Sequence, residues 1–135
     1  LITAAAVGDI VHLLLAGRAY DNIPLWQVQY RFVDAANNGK LLHWPGMAVM
    51  TWVMLDDAGL ERLHDNDVIG GADWVNDQGE LWIIDLVAPY GSVGKIVREA
   101  RRYFGERYGD GVNAQWRRPW RKPYAKMGAA IARVS

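Results

Sequence analysis

The stretch Leu81-Trp82-Ile83-Ile84-Asp85-Leu86-Val87-Ala88-Pro89-Tyr90-Gly91-Ser92 decides how this chain is built. Its first eight residues are apolar on both faces except at Asp85, and such a run suits a central strand covered on both sides. Pro89-Tyr90-Gly91 ends the strand. Ser92 stands where it can cap a helix that runs to about Phe104. In that helix Ile96, Val97, Ala100 and Phe104 face inward, while Lys95, Arg98, Arg101 and Arg102 face outward.

Upstream, residues 4–16 place Val7, Ile10, Val11, Leu14 and Leu15 at i, i+3, i+4, i+7 and i+8, a helical apolar stripe that Gly17 can end. Residues 22–32 carry two signals. Trp26, Val28, Tyr30 and Phe32 alternate with polar residues, as in a strand, whereas Asn22, Pro24 and the Leu25/Val28/Phe32 spacing read as a helix. The alternation favours a strand. Asn37-Asn38-Gly39 is a turn. Residues 40–43 and 47–55 read as two strands joined by Trp44-Pro45-Gly46, and Asp56 and Asp57 cap a short helix to about His64. Asp77-Gln78-Gly79 turns the chain into the quoted strand, and residues 113–117 read as a last short strand. The order of elements gives an α/β or α+β fold in a single domain, residues 1–135, with a basic C-terminal segment 111–135.

Lys plus Arg and Asp plus Glu each number 15, so the formal net charge is zero. That zero conceals two unlike halves. Residues 1–94 hold 12 acids and 4 bases, and residues 95–135 hold 3 acids and 11 bases. The basic third is expected to face something anionic. There is no cysteine, which excludes disulfides and thiolate chemistry and fits a reducing, cytoplasmic setting. No apolar run approaches the roughly 20 residues of a membrane span, and no secretory signal is visible in the first residues.

Four features can carry chemistry. Asp85 is a lone carboxylate inside an apolar strand, which burial penalises unless it is paired. It either serves acid–base work or forms a structural ion pair, with an arginine of the C-terminal third as the expected partner. Gly91, Ser92, Gly94 and Lys95 form a turn into a helix, whose backbone N–H groups can receive an anion; the plain strand-to-helix turn is the competing reading. Trp116, Arg117, Arg118, Trp120 and Arg121 interleave aromatics with cations, either as a binding loop or as a solvated tail. The histidines, His12, His43 and His64, show no metal-ligand spacing.

The series Trp82-x-x-Asp85-x-x-Ala88-Pro89-Tyr90-Gly91 resembles the signature of the RTX toxin-activating lysine acyltransferase family. Asp73-Trp74, the basic helix, the ungapped stretch from Gly8 to Pro24, Trp52 in its strand and residues 113–117 agree with it, so the resemblance spans about residues 8–117. It implies a fold similar to the GNAT acetyltransferases, a mixed and mostly antiparallel sheet flanked by helices. It implies transfer of a fatty acyl group from acyl carrier protein to lysine side chains, with the acyl carrier protein thioester as co-substrate and no bound cofactor. The family works with a histidine near the N-terminus and an aspartate in the central strand. Asp85 matches the aspartate, and Tyr20 stands at the histidine's position, with His12 two helical turns earlier. A tyrosine has an ordinary pKa of about 10 and is a weak base at neutral pH, though it can protonate a leaving thiolate. Losing a general base lowers the rate roughly 10²–10⁴-fold.

Two expectations follow. One is an acyltransferase with Asp85 and Tyr20 at the acyl site. In it Gly91, Ser92, Gly94 and Lys95 meet the donor, and Arg98, Arg101, Arg102 and the Trp116–Arg121 cations dock the acidic carrier. The other is a non-catalytic binding or structural subunit on the same fold, for example in a phage virion, with its acidic and basic faces making contacts in a homo-oligomer or larger assembly. Nucleic acid is not the expected partner.

Overall fold

The computed structural model describes residues 4–17, 25–66, 69–116 and 130–133. In chain order the elements are α1 (Ala4–Gly17), α2 (Leu25–Asn37), β1 (Leu41–Trp44), β2 (Ala48–Leu55), α3 (Asp57–Asn66), α4 (Gly71–Val75), β3 (Glu80–Val87), α5 (Val93–Tyr108), β4 (Asn113–Trp116) and β5 (Ala130–Arg133). The strands form one sheet in the order β1-β2-β3-β4-β5. All neighbouring pairs are antiparallel except β3 and β4, which run parallel. A parallel pair needs a crossover, and α5 supplies it. The mixed, mostly antiparallel sheet flanked by helices agrees with the expected fold class.

β3 is the central strand of the five, as its unbroken apolar run requires. Its two faces build two cores. Leu81 and Ile83 pack with Met50, Trp52 and Met54 of β2 against Ile96, Ala100 and Phe104 of α5. Trp82 and Ile84 pack with Val53 and Leu55 against Ala35 of α2, Leu63 of α3 and Trp74 of α4. A third cluster joins Ile10 and Leu14 of α1 and Phe32 of α2 to Val49 and Val87. So α1 to α4 cover one face and α5 covers the other.

Residues 25–37 form a helix, which corrects the strand reading of 22–32. Phe32 and Ala35 are buried at a three-residue spacing, whereas Tyr30, one of the alternating apolar residues, is 67% exposed. The alternation was a coincidence of amphipathic spacing, and the helical period prevails because it points Phe32 and Ala35 at the sheet. The N-terminal signals Asn22 and Pro24 lie outside the described residues. In α1 the buried face is Ile10, Leu13 and Leu14, with Val7 and Leu15 exposed, so the helix is rotated from the predicted stripe toward Leu13.

Three local signals behave as the sequence suggests. Asp56 caps α3, its Oδ1 accepting the Gly59 N–H at 2.9 Å. The hairpin between β1 and β2 pairs Trp44 with Ala48 across the Pro45-Gly46 turn. Gly79, in the turn before β3, has φ +114°, and a Cβ there would fall 2.2 Å from the Leu55 carbonyl oxygen, so only glycine fits. Ser92 does occupy the N-cap of α5, but its backbone is left-handed (φ 64°, ψ 22°) and its side chain makes no capping bond. The helix runs on to Tyr108, four residues beyond the predicted end. Residues 113–116 form a strand as expected, but it is not the last, since β5 pairs with it. Asp110 to Asn113 brings the chain back beside β3, and β4 has a partner on each side.

α2 ends in a Schellman motif: the Gly39 N–H bonds the Ala36 carbonyl, the Lys40 N–H bonds the Ala35 carbonyl, and Gly39 has φ +68°. The residue so placed, Lys40, is fully buried. Its Nζ donates to the carbonyls of Trp74 and Asn76 at the end of α4 and lies 3.6 Å from Asp77 Oδ1. A buried ammonium that satisfies the last carbonyls of a short helix ties α2, α4 and the turn before β3 into one unit. Replacing Lys40 by Met is expected to orphan those carbonyls and lower stability by about 1–3 kcal/mol in urea unfolding. Burial also holds the Lys40 amine below its ordinary 10.5, against the pull of Asp77. Between the lowered value and 10.5 the unfolded chain binds more protons than the folded one, so wild-type stability rises with pH across that window. The Lys40→Met variant is expected to lack that rise.

Candidate functional site: the Asp85 anchor and the loop after β3

A bulge sets the site. Thr51 pairs with Asp85 and Trp52 pairs with Ile83, leaving Ile84 as an extra residue on β3. Strict alternation from Leu81 and Ile83 would aim Asp85 at α5. The bulge shifts the phase, so Ile84 and Asp85 both face the α1–α4 side and Leu86 returns to the α5 side.

The Asp85 side chain is wholly buried, and Arg31 of α2, 28% exposed, reaches it. Arg31 Nε donates to Oδ2 at 3.0 Å and Nη2 donates to Oδ1 at 2.8 Å. Thr51 Oγ1 donates to Oδ2 at 2.6 Å. Both carboxylate oxygens are therefore engaged, by a planar fork from a helix and by a hydroxyl from the neighbouring strand. The arginine partner comes from α2 and not from the C-terminal third, which corrects the expected pairing. Sequence reading missed Arg31 because a strand at 22–32 gives it no route to Asp85. Once the segment is a helix, Arg31 lies beside the inward Phe32. Thr51 had a signal that could have found it: it is the lone hydroxyl inside an apolar strand.

After β3 the chain turns at Pro89-Tyr90-Gly91, with the Gly91 N–H bonding the Ala88 carbonyl at 3.2 Å. Gly91 (φ 92°) and Ser92 (φ 64°) are both in the left-handed half of backbone space. The first bond inside α5 runs from the Ile96 N–H to the Ser92 carbonyl. The amides of Val93, Gly94 and Lys95 thus belong to the open first turn of a helix, where an anion is stabilised. Gly91, Ser92, Gly94 and Lys95 are exposed there together. Arg98, Arg101 and Arg102 are exposed further along the same helix, while Glu99 accepts the Trp44 Nε1–H at 2.9 Å on its flank. On the buried side Trp52 donates to the Tyr108 hydroxyl at 3.0 Å and meets Phe104 edge-on at 4.9 Å, which fixes the helix on the sheet.

Two histidines approach the same end of the sheet from α1 and β1. His12 Nε2 and the Tyr90 hydroxyl are 2.9 Å apart. His43 Nε2 donates to Asp9 Oδ2 at 2.6 Å, and the Gly46 N–H donates to the same oxygen at 2.8 Å. The Gly46 amide and then His43 hold the Asp9 carboxyl below the usual carboxylate range. His64 lies in the last turn of α3, edge-on to Trp82. Among the described residues no group of three or more His, Asp or Glu is placed to hold a metal ion. Nor is any helix among them long and apolar enough to cross a membrane. A cleft of about 390 Å³ lined by Leu55, Asp57, Leu60 and Glu80 opens at the far end of β3, several residues from Asp85. Tyr20, Arg117, Arg118, Trp120 and Arg121 lie outside the described residues, and Trp116 is described as backbone in β4.

The pairing at Asp85 has a measurable consequence. Arg31→Met removes one partner and leaves a buried carboxylate, so the variant is expected to lose about 3–5 kcal/mol in denaturant unfolding. Adding Asp85→Leu to it should recover much of that loss, because the uncompensated charge is gone. Arg31→Lys should fall short of wild type, since an ammonium cannot form the bidentate fork.

A search of curated proteins found no match to the chain. The sequence model of the RTX toxin acyltransferase family matches residues 2–118, a span that contains α1 to α5, β1 to β4, the Asp85 anchor and the loop that follows it. The chain belongs to the RTX toxin acyltransferase family.

Proposed function

We propose that this chain moves a fatty acyl group from the thioester of an acyl carrier protein to the amine of a lysine side chain on a protein acceptor. The observation that carries the reading is family membership over a span that includes Asp85 and the complete strand–loop–helix unit. The described geometry supports it in two ways. The open first turn at Gly91–Lys95 suits an anionic part of the donor. The exposed cations Lys95, Arg98, Arg101 and Arg102 continue from that turn along one helix, so an acidic carrier that docks on them delivers its thioester to the loop.

In this reading Asp85 organises the site and does not take the proton. Its two oxygens already accept three hydrogen bonds, and its side chain has no solvent exposure. Attack on a thioester needs the neutral amine, so a base must lie elsewhere. Tyr20, at the position of the family's histidine, is a weak base at neutral pH and does not supply it. The same closed carboxylate favours a second reading, in which the fold is kept as a non-catalytic binding or structural subunit.

Incubation with carrier protein bearing a radiolabelled acyl chain and a lysine-rich acceptor separates the two. Transfer is expected, and Arg98→Glu with Arg101→Glu should raise KM for the donor roughly tenfold or more at low ionic strength, with the gap narrowing as salt is added. No labelled product from the wild-type chain would leave the non-catalytic reading standing.

A further inference from the structure

His12 is an exposed residue on α1, yet its ring is held. Its Nε2 is 2.9 Å from the Tyr90 hydroxyl, and the two rings stack at 6.3 Å with 30° between their planes. Tyr90 is itself exposed and lies two residues before the left-handed Ser92 that opens α5. The contact joins residues 78 apart in the chain, so the fold has to bring them together.

α1 is fixed at two points that flank His12 in the chain. Near its middle, Asp9 takes the Gly46 N–H and the His43 imidazole of the β1–β2 hairpin. At its end, Gly17 lies so close to β3 that a Cβ would fall 2.8 Å from Val87 Cγ1. Between them Ile10 and Leu14 pack on Val49 and Val87. The helix is thus laid across the end of the sheet from β1 to β3, and His12 stands over the loop where β3 hands on to α5. Asp85, by contrast, is sealed beneath Arg31 and Thr51.

Resting on the acyltransferase reading, we propose that His12 and Tyr90 are the proton-transfer pair of this chain, supplying from α1 the base that the residue at position 20 does not. The acceptor ammonium gives a proton to the Tyr90 oxygen as the Tyr90 hydroxyl proton passes to His12 Nε2. The neutral amine then attacks the thioester carbonyl, the C–N bond forms and the C–S bond breaks. The imidazolium returns its proton through Tyr90 to the departing thiolate. The nitrogen sheds two protons in all: one ends on sulfur and the other goes to solvent. The charged and titratable groups facing the pair are Asp9, one turn earlier on α1, and His43 of β1 hydrogen-bonded to it.

The test uses the full chain with labelled acyl carrier protein and a lysine-rich acceptor. Both side chains are exposed, so His12→Ala and Tyr90→Phe should keep the wild-type circular dichroism and unfolding midpoint. His12→Ala is expected to lower kcat roughly 10²–10⁴-fold with little change in KM, and added imidazole should restore part of the rate in that variant while leaving wild type unchanged. Tyr90→Phe should lower kcat and be insensitive to imidazole. Wild-type turnover in His12→Ala would overturn the proposal while leaving the acyltransferase reading intact. A loss that imidazole does not relieve would assign His12 a structural role and also overturn it. Absence of transfer by the wild-type chain would overturn both.

Discussion

A carboxylate in the middle of an apolar strand sets the terms for the rest of this molecule. Asp85 can be buried only if its charge is met, and what meets it is a guanidinium from α2 and a hydroxyl from β2. Each partner constrains an element. Thr51 must stand directly opposite on β2, so the strand register follows. Arg31 must come down from above the sheet, so α2 has to be a helix lying over β2 and β3. The bulge at Ile84 then has a reason, because without it the carboxylate would point into the apolar layer beneath α5, where Trp52, Ile96 and Phe104 offer no counter-charge.

The two faces of the sheet divide the labour. The α1–α4 side holds the polar anchors: Asp85 with Arg31, Lys40 with the carbonyls of α4, and Asp73, which takes the Gly70 N–H and an Arg62 ion pair at 2.6 Å. These are satisfied inside the fold and leave little for a substrate. The α5 side is a dry aromatic contact below and an array of cations above. The acidic and basic halves of the sequence therefore correspond to different surfaces of the body, the basic one being largely a single helix among the described residues. The zero net charge is a sum over these surfaces and carries no information about either.

What the sequence made legible, and what it hid, follows from range. The strand, turn and helix from Leu81 to Phe104 could be read because every signal in it is local: an apolar run, a Pro-Tyr-Gly stop, a helical period. The hairpin and the Asp56 cap are local too. α2 was misread because an amphipathic helix with Tyr30 on its outer side mimics alternation over seven residues. Only the tertiary demand of Asp85, 54 residues away, breaks the tie. Ser92 was placed at its cap but not in its backbone conformation, since a left-handed serine has no sequence mark. β5 was missed, as its pairing with β4 is a distant contact. The Asp85 site was recognisable as a residue and not as an environment: the motif names the acid, while its partners lie in two other elements. His12 was noticed without a role because its partner, Tyr90, is reached only through the docking of α1.

The bulge at Ile84 makes β3 a matter of facing more than of identity. Ile84 packs against Trp82 and Trp74, and other apolar side chains of similar size can fill that space. Its bulged backbone is a different kind of requirement. Were the bulge flattened with Ile84 still in the strand, plain alternation from Leu81 onward would turn Asp85 toward α5, strip it of Arg31 and Thr51 at once, and change the faces of the residues that follow, whereas removing Ile84 altogether leaves Asp85 opposite Thr51 with no bulge needed. The strand is thus tolerant in its letters and strict in the face that each of them meets. Of the two positions between Trp82 and Asp85, one is set outside the pairing, and that backbone irregularity keeps a charge pointed at its partners.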